Sequence, residues 1–319
     1  MAADTLTRRT FGAMSCTSSV AVIADDGTPP PRIEDWLDRA ALRIDELERR
    51  WSRFLDDSEI TGLNRADGAP RRCSHDTLAL VEAMVAGWHA TDGSFDPSLL
   101  GPLVELGYAN SRVDGSAAPA LLPGTGYGRR VDLIRRDRAG SIVRLPPGLT
   151  LDPGGIGKGL AADLVTGELT VDGGAVGAIV EIGGDVRVRG VGPDDDAWTV
   201  AVVDPDGRAE YVRLRDGGIA TSTTRLRTWR SGGEERHHLL DPSTGRPTGH
   251  TDRGDATDDV VACTVIAGTA AWAEVFTKPA FVEGAVRSLA RYESHGLAAR
   301  LTLADGSTVV TSRWKEFLA

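Results

Sequence analysis

Apolar side chains recur every three or four positions along two long stretches of this chain. The first stretch carries Ile33, Trp36, Leu37, Ala40, Ile44, Leu47, Trp51 and Phe54. The second carries Leu78, Val81, Met84, Val85 and Trp88. Because this spacing matches the 3.6-residue period of the α-helix, it predicts amphipathic helices over about 32–54 and about 76–90. The polar stretch between them, DDSEITGLNRADG, predicts turns.

After residue 128 the pattern changes to short runs that are apolar or alternate in polarity, as is typical of β-strands. These runs are VDLIRR, SIVRL, LTLD, VGAIVEI, DVRVRG, WTVAVVD, YVRLR, GIATS and VVACTVIA. An earlier strand is predicted from Ser15 to Ile23, and short helices are expected after Lys158, over about 269–278 and over about 284–294. This order favours an α+β fold, with mainly antiparallel sheets and flanking helices, over a regular βαβ alternation.

The length and composition are those of a chain that can bury a full core. The chain has 319 residues, of which 41% are apolar. We interpret residues 1–319 as a single domain. Within it, the sequence allows residues 1–14 to be flexible, and the Gly/Pro/Ala-rich stretch 111–128 predicts an exposed loop.

Charge and cysteine content narrow the class of protein. A net charge of −10 without a basic stripe argues against a partner that is nucleic acid or an anionic membrane. No apolar run is long enough for a membrane span. Three widely spaced cysteines without a CxxC motif argue against a disulfide framework or zinc site and favour the cytoplasm. The stretch TRRTF resembles a twin-arginine export signal, but a short, polar segment follows it, so export is the minor alternative.

Only three of the 36 basic residues are lysines, and two of them, Lys158 and Lys278, fall inside motifs. Lys158 lies in LDPGGIGKGLAAD, where a glycine-rich turn leads into a predicted helix. Backbone N–H groups in such a turn can approach an anion closely, and an ammonium adds a point charge. The spacing is neither that of a P-loop nor that of a GxGxxG fingerprint. Taken alone, the loop is compatible with a phosphate site and with a plain turn.

Two further motifs place polar groups beside predicted strands. In VEIGGDVRVRG, the Gly183-Gly184 pair leaves backbone uncovered, so that a flat ligand can lie against it, although a simple hairpin explains the same pattern. In GIATSTTR, four hydroxyl residues end a strand before Arg225. Hydroxyls and an arginine suit a pyrophosphate, and a polar edge strand has the same appearance.

The last two motifs carry candidate catalytic and metal-binding groups. His237, His238 and Asp241 surround a Pro-Ser-Thr-Gly turn, where a His–Asp pair can orient or deprotonate a hydroxyl. Since side chains alternate along a strand, only one of the two histidines is expected to enter a site; the alternative is a surface histidine near a turn. In AWAEVFTK, Glu274 and Lys278 are spaced as an ordinary helical ion pair, and Glu274 can alternatively bind a hard cation.

Together these motifs resemble those of one family. The motifs, in order, are AMSCTSSV, SEITGLN, GSFDPSLLGPLVELGY, LDPGGIGKGLAAD, VEIGGDV, GIATSTTR, HHLLDPSTGRP and AWAEVFTK. With them the chain resembles, over nearly its whole length, the ApbE family of FAD:protein FMN transferases. The resemblance implies an enzyme that binds FAD, transfers FMN to a threonine or serine hydroxyl of an acceptor protein and releases AMP.

The resemblance also implies roles for individual residues. Lys158 and the amides of Gly154–Gly159 would hold the phosphates, and His238 with Asp241 would assist the nucleophile. Magnesium would lie between the Gly157 carbonyl and Glu274. The residues expected to bind the cofactor are Asn64, Asp96, Gly154, Gly155, Lys158, Glu181, Gly183, Gly184, Asp185, Ala220, Thr221, Ser222, Thr223 and Arg225.

The chain departs from the family pattern at several of these motifs. Ser15-Cys16 replaces the Gly-Thr that is usual in the family, Glu181 replaces an asparagine, and Thr223 replaces a glycine. The replacements of glycine add side chains at the edge where the ligand is expected. Lys278 replaces the threonine that binds the metal in the family pattern. Because an ammonium donates protons and repels cations, we hypothesise that Lys278 occupies or weakens the magnesium site as an internal cation paired with Glu274.

Two classes of function are therefore open. The leading one is FMN transfer from FAD to an acceptor protein. The alternative is an ApbE-like protein that binds flavin or another nucleotide without transfer, such as a carrier, an FAD hydrolase or a recruited enzyme of specialised metabolism. Release of AMP together with covalent flavin on an acceptor distinguishes the two.

Overall fold

The computed structural model describes residues 5–110, 115, 117–121, 126–128, 130–249 and 259–319. Its helices are α1 (Pro30–Trp51), α2 (Glu59–Asn64), α3 (His75–Ala90), α4 (Leu100–Glu105), α5 (Gly157–Gly167), α6 (Ala270–Phe276), α7 (Pro279–Glu283) and α8 (Ala285–Ser294). Its strands are β1 (Thr5–Ala13), β2 (Cys16–Ala24), β3 (Arg71–Arg72), β4 (Arg135–Asp137), β5 (Ile142–Arg144), β6 (Gly177–Ile182), β7 (Asp185–Gly190), β8 (Trp198–Val203), β9 (Ala209–Leu214), β10 (Gly217–Thr223), β11 (Thr228–Ser231), β12 (Glu234–His237), β13 (Leu240–Asp241), β14 (Arg246–Pro247), β15 (Val260–Ala267), β16 (Ala298–Leu303) and β17 (Thr308–Val310).

A large sheet organises the molecule. It has eight strands in the order β1-β2-β6-β7-β10-β15-β16-β17, and each neighbouring pair is antiparallel. Three two-stranded ribbons and a three-stranded sheet of β3, β5 and β4 complete the strands of the described ranges. The predicted α+β fold of antiparallel sheets and helices is confirmed.

Both faces of the large sheet are covered. In β2, Val20 and Val22 belong to the core under the helices, whereas Ala21 and Ile23 belong to a second core on the opposite face. Trp314, from the C-terminal 3-10 turn, fills that second core. Because neighbouring side chains of a strand point to opposite faces, a strand covered on both faces is a continuous apolar run, as VAVIA is.

Helix α1 lies on the first face through its apolar stripe, and its predicted apolar positions from Ile33 to Trp51 are buried. Helix α3 has the predicted extent almost to the residue. The helix predicted over 32–54 stops before Phe54, since Ser52 has extended backbone angles and ends α1.

Several expectations were wrong in detail. The stretch predicted as turns contains α2, which begins where the Ser58 side chain accepts a hydrogen bond from the Thr61 amide. The run LTLD forms only an isolated bridge at Leu149, and the start of VDLIRR is a 3-10 turn. Residues 5–13, where the sequence allowed flexibility, form β1 and pair with β2.

Residues 111–114, 116 and 122–125 of the expected exposed loop lie outside the described residues. Among the helices of the described ranges, none is long and apolar enough to cross a membrane.

Candidate active site

A cavity of about 530 Å³ opens beside the amino-terminal end of α5. Its wall is built by the turn between β1 and β2, the end of α1, the loop before α4, the glycine-rich turn, the turn between β6 and β7, the end of β10 and the helices α6 and α7. The predicted site residues in this wall are Asp96, Gly154, Gly155, Gly157, Lys158, Gly183, Asp185, Thr221, Ser222, Thr223, His238 and Glu274. The motifs that are scattered along the sequence therefore meet at one site.

The glycine-rich turn allows α5 and α6 to approach closely. A Cβ on Gly159 would lie 2.5 Å from the Ala270 carbonyl oxygen, so no larger residue fits there without movement. This close contact lets the Gly159 amide donate to Glu274 Oε2 at 2.9 Å. The turn is held further by Asp152, whose Oδ1 accepts from the Gly154 amide at 2.9 Å.

Lys158 joins two buried carboxylates across the cavity floor. Its Nζ donates to Asp185 Oδ2 and, at 3.1 Å, to Glu274 Oε1. The side chains of Asp185 and Glu274 are each 3% exposed. Of the three protons on this ammonium, two are engaged within the described residues, and the third remains for a ligand in the cavity.

Lys278 binds the backbone carbonyl of Glu274 and two hydroxyl oxygens rather than the Glu274 carboxylate. Its Nζ donates to the Glu274 backbone carbonyl at 2.8 Å, to Thr277 Oγ1 at 3.0 Å and to Ser222 Oγ at 3.3 Å. Burial lowers the pKa of Lys278 to about 8, and the nearby Glu274 opposes that shift. The group is therefore mainly an ammonium at neutral pH.

The residues present do not fit the magnesium ion that the resemblance implied. Mg²⁺ takes six oxygen ligands in near-ideal octahedral geometry, usually including carboxylates. Both oxygens of the Glu274 carboxylate are already bonded, and the Lys278 ammonium holds the neighbouring oxygens. In addition, no cluster of three or more histidine, cysteine and acidic residues that could hold a metal is found in the described ranges.

His238 lines the cavity as a neutral imidazole. Burial, followed by the positive charges of Arg227 and Lys278, keeps the pKa of His238 well below the ordinary 6.5. Its Nδ1 is buried without a hydrogen-bond partner in the described part of the chain. His237 is absent from the described cavity wall, and its Nε2 lies 2.9 Å from the Thr248 carbonyl oxygen. Strand β12 ends at His237, so the different directions of the two histidines come from the end of the strand rather than from alternation along it.

Asp241 does not join His238. Its Oδ1 accepts hydrogen bonds from the Ser243 amide at 2.8 Å and the Ser243 hydroxyl at 2.6 Å, which closes the Pro-Ser-Thr-Gly turn. No hydrogen bond between Asp241 and His238 is found among the described residues, and Asp241 is absent from the described cavity wall. The expected His–Asp pair is thus replaced by a histidine alone and an aspartate that shapes a turn.

Asp96 and the hydroxyl residues of β10 are held in place by local bonds. Asp96 Oδ1 accepts from the Ser98 amide and hydroxyl, and burial raises the pKa of Asp96 despite those bonds. Ser222 Oγ lies 2.7 Å from Thr277 Oγ1. Thr223 Oγ1 donates back to the Val261 carbonyl at 2.8 Å, so its added side chain is tied to the neighbouring strand.

Five expected cofactor residues lie outside the described cavity wall, namely Asn64, Glu181, Gly184, Ala220 and Arg225. Asn64 instead clamps the backbone before the glycine-rich turn. Its Nδ2 donates to the Leu151 carbonyl at 2.9 Å, and its Oδ1 accepts from the Leu151 amide at 2.7 Å. Glu181 Oε2 accepts from Ser19 Oγ at 3.3 Å within the β2–β6 pair.

Other cavity residues were missed from the sequence. Arg227 lines the cavity in place of Arg225, on a backbone with φ of 55°. Arg53 is 6% exposed and donates to the Tyr108 carbonyl at 2.9 Å, while its Nη1 is buried without a partner within the described residues. Its guanidinium carbon lies 4.2 Å from the Phe54 ring centre and 4.7 Å from that of Tyr108. Arg53 lies two residues beyond the end of α1, next to Phe54, and no motif of the sequence singled it out.

Known proteins share both this sequence pattern and this fold. The ApbE family pattern matches residues 14–301. The FAD:protein FMN transferase of Salmonella typhimurium is 26% identical over 338 residues, which cover 99% of this chain and 90% of that protein. The enzyme of the same name from Treponema pallidum is 30% identical over 248 residues, covering 70% and 66% respectively.

Solved structures agree with that match. The ApbE protein of Thermotoga maritima superimposes with a TM-score of 0.80 at 26% identity, covering 99% of this chain and 100% of that one. The flavin transferase ApbE of Vibrio cholerae has a TM-score of 0.78 at 25% identity, covering 99% and 100%. The match extends through the glycine-rich turn, the hydroxyl strand and helix α6, which build the cavity. The resemblance seen in the motifs is confirmed, and the chain belongs to the ApbE family.

Proposed function

We propose that the protein is a flavin transferase, which moves FMN from FAD to a threonine or serine hydroxyl of an acceptor protein and releases AMP. The observation that carries this proposal is the cavity beside the start of α5, whose wall contains the ammonium groups of Lys158 and Lys278 and the neutral imidazole of His238. The names of the relatives support it, because the matched enzymes are FAD:protein FMN transferases.

Our proposal puts the pyrophosphate of FAD at the two lysines. Lys158 offers its third proton, and Lys278 supplies a second positive charge beside it. Of the glycine-turn amides, those of Gly154 and Gly159 are engaged by Asp152 and Glu274, so they are not available for phosphates. The first-turn amides of α5 at Gly157 and Lys158 are the donors that suit an anion.

His238 is the group that accepts the proton of the nucleophile. In the transfer, the acceptor hydroxyl oxygen forms a bond to the FMN phosphorus, and the bond from that phosphorus to the bridging oxygen breaks. AMP leaves with the bridging oxygen, and the hydroxyl proton moves to the imidazole. A histidine with a depressed pKa starts the cycle neutral, as a base must. The two ammonium groups stabilise the charge that develops on the phosphates.

The acceptor is a protein segment that presents a threonine or serine, and the cytoplasm is the proposed location. The three cysteines Cys16, Cys73 and Cys263 are unpaired, which fits a reducing compartment.

The test is incubation of the protein with FAD and a library of threonine- and serine-containing peptides. Chromatography measures AMP, and mass spectrometry measures FMN on the peptides. The proposal expects AMP and an FMN–peptide product in equal amounts, with His238→Gln strongly impaired and the surface variant His295→Gln unchanged. Equal release of free FMN and AMP would identify an FAD hydrolase instead, and absence of FAD binding would contradict both.

A further inference from the structure

The oxygen cluster at the end of α6 is filled by a side chain of the protein itself. An ammonium has three protons to donate. Lys278 Nζ has three oxygen acceptors, on Glu274, Thr277 and Ser222, at 2.8 to 3.3 Å. The hydroxyls are ordered by their own bonds, since Thr277 Oγ1 donates to the Glu274 carbonyl at 2.7 Å and lies 2.7 Å from Ser222 Oγ. The cluster is therefore satisfied as it stands.

The carboxylate that a metal ion would need is also committed. Glu274 Oε1 accepts from Lys158 at 3.1 Å, and Oε2 accepts from the Gly159 amide at 2.9 Å. A divalent cation at this place would have to displace one ammonium and remain beside the other. The like charges oppose that exchange.

The neighbouring backbone makes room for the lysine. A Cβ on Gly155 would lie 3.2 Å from Lys278 Cε and 3.1 Å from the Phe95 ring. The side-chain stem of Lys278 thus runs directly over a glycine, packed beside an aromatic ring. This packing of the side-chain stem is independent of the hydrogen bonds at Nζ. The backbone around Gly155 therefore accommodates a lysine side chain that reaches the oxygen cluster.

We infer that the Lys278 ammonium takes the place of a divalent cation in this cavity, so that the protein binds the pyrophosphate of FAD without a metal ion. The ligand class is a nucleotide pyrophosphate, and the inference rests on the proposed function for the identity of that ligand. The ammonium supplies one positive charge beside the pyrophosphate, with its three protons bound to Glu274, Thr277 and Ser222, where a metal would supply two charges and open coordination positions.

The first test needs no FAD. Mn²⁺ is titrated into the protein, and its free signal is followed by electron paramagnetic resonance. Wild type is expected to bind no Mn²⁺ at micromolar concentrations. Lys278→Thr removes the ammonium and leaves hydroxyl and carbonyl oxygens beside Glu274, so this variant is expected to gain Mn²⁺ binding. Lys315→Thr, which removes an exposed lysine far along the chain, is the matched control and is expected to behave as wild type.

The second test measures FAD affinity by flavin fluorescence, with EDTA and with Mg²⁺. Wild type and Lys315→Thr are expected to bind FAD equally in both buffers. Lys278→Thr is expected to bind about tenfold more weakly in EDTA, a loss equivalent to one charged contact, and to recover in Mg²⁺. Lys278→Met keeps the stem without the charge and is expected to stay weak in both.

The outcomes separate the two claims. Tight Mn²⁺ binding by wild type, or FAD binding by wild type that fails in EDTA and returns with Mg²⁺, would overturn the inference and leave the transferase proposal intact. Failure of wild type to bind FAD in either buffer would overturn the proposed function and, with it, the ligand assigned here.

Discussion

The contact between α5 and α6 provides a sharp test of how this site is assembled, through Gly159→Ala. A Cβ at this position would lie 2.5 Å from the Ala270 oxygen, 2.6 Å from the Ala270 carbon and 2.7 Å from the Ala271 nitrogen. All three are backbone atoms and cannot rotate away, so the two helices must separate. Overpacking of this kind costs about 1–3 kcal/mol.

The separation also lengthens the bond from the Gly159 amide to Glu274. A hydrogen bond to a buried charged group contributes about 1.5–3 kcal/mol. Replacing a helical glycine by alanine returns about 1 kcal/mol. The expected net loss in the free energy of unfolding is therefore about 1.5–5 kcal/mol.

Gly167→Ala is the matched control, because Gly167 lies in the same helix and an added Cβ meets no atom within 4 Å. This variant is expected to be as stable as wild type or more stable by up to about 1 kcal/mol. The assay is guanidinium unfolding followed by the fluorescence of the seven tryptophans. The reasoning is refuted if both variants unfold at the wild-type midpoint, or if Gly167→Ala is the less stable of the two.

Three further predictions concern His238, Asn64 and Arg53. Because burial and the nearby positive charges hold the pKa of His238 well below 6.5, kcat/KM is expected to stay level as the pH is lowered from about 7 to 6.5 and to fall only in more acid buffer; an acid-side fall centred above 6.5 would contradict this. On the alkaline side, kcat/KM is expected to fall as Lys278, whose pKa is about 8, loses its positive charge. Asn64→Ala removes the partner of both backbone groups of Leu151, so it is expected to lower the free energy of unfolding by about 2–4 kcal/mol with little direct change in FAD contacts. A variant as stable as wild type would show that Asn64 does not hold this backbone in place. Arg53→Met removes a buried guanidinium from the cavity wall and is expected to lower the free energy of unfolding by about 2–3 kcal/mol and to weaken FAD binding. The exposed control Arg49→Met is expected to change the free energy of unfolding by less than about 0.5 kcal/mol. Equal effects of the two variants in unfolding and FAD titration would contradict the role of Arg53.

Sequence periodicity predicted the helices and strands whose buried side chains recur at a regular spacing. Helix α1 buries one stripe and β2 buries both faces, so each leaves a clear apolar pattern. Helix α2 is only six residues long and is fixed by the Ser58 side chain, so its polar sequence reads as a turn. Strand β1 is an edge strand, and its charged residues Arg8 and Arg9 hid it from the same analysis.

The motifs predicted which stretches of backbone meet at the site, but not the directions and partners of all their side chains. Lys158, Glu274 and His238, which the motifs singled out, lie in the cavity wall. Whether an aspartate faces a nearby histidine or closes a turn depends on the local direction of its side chain, which a motif does not specify. Asp241 closes a turn. Long-range contacts such as Arg53 to Tyr108 span 55 positions, which no local pattern records.

The measurement that tests the account most directly is a crystal structure of the protein with FAD, grown in buffer containing EDTA. We predict the FAD pyrophosphate within hydrogen-bond distance of Lys158 and beside the Lys278 ammonium, with His238 beside the FMN phosphorus and Lys278 still bound to Thr277 and Ser222. Pyrophosphate density away from both lysines, or FAD that enters only when a divalent cation is supplied and sits against Glu274, would contradict it.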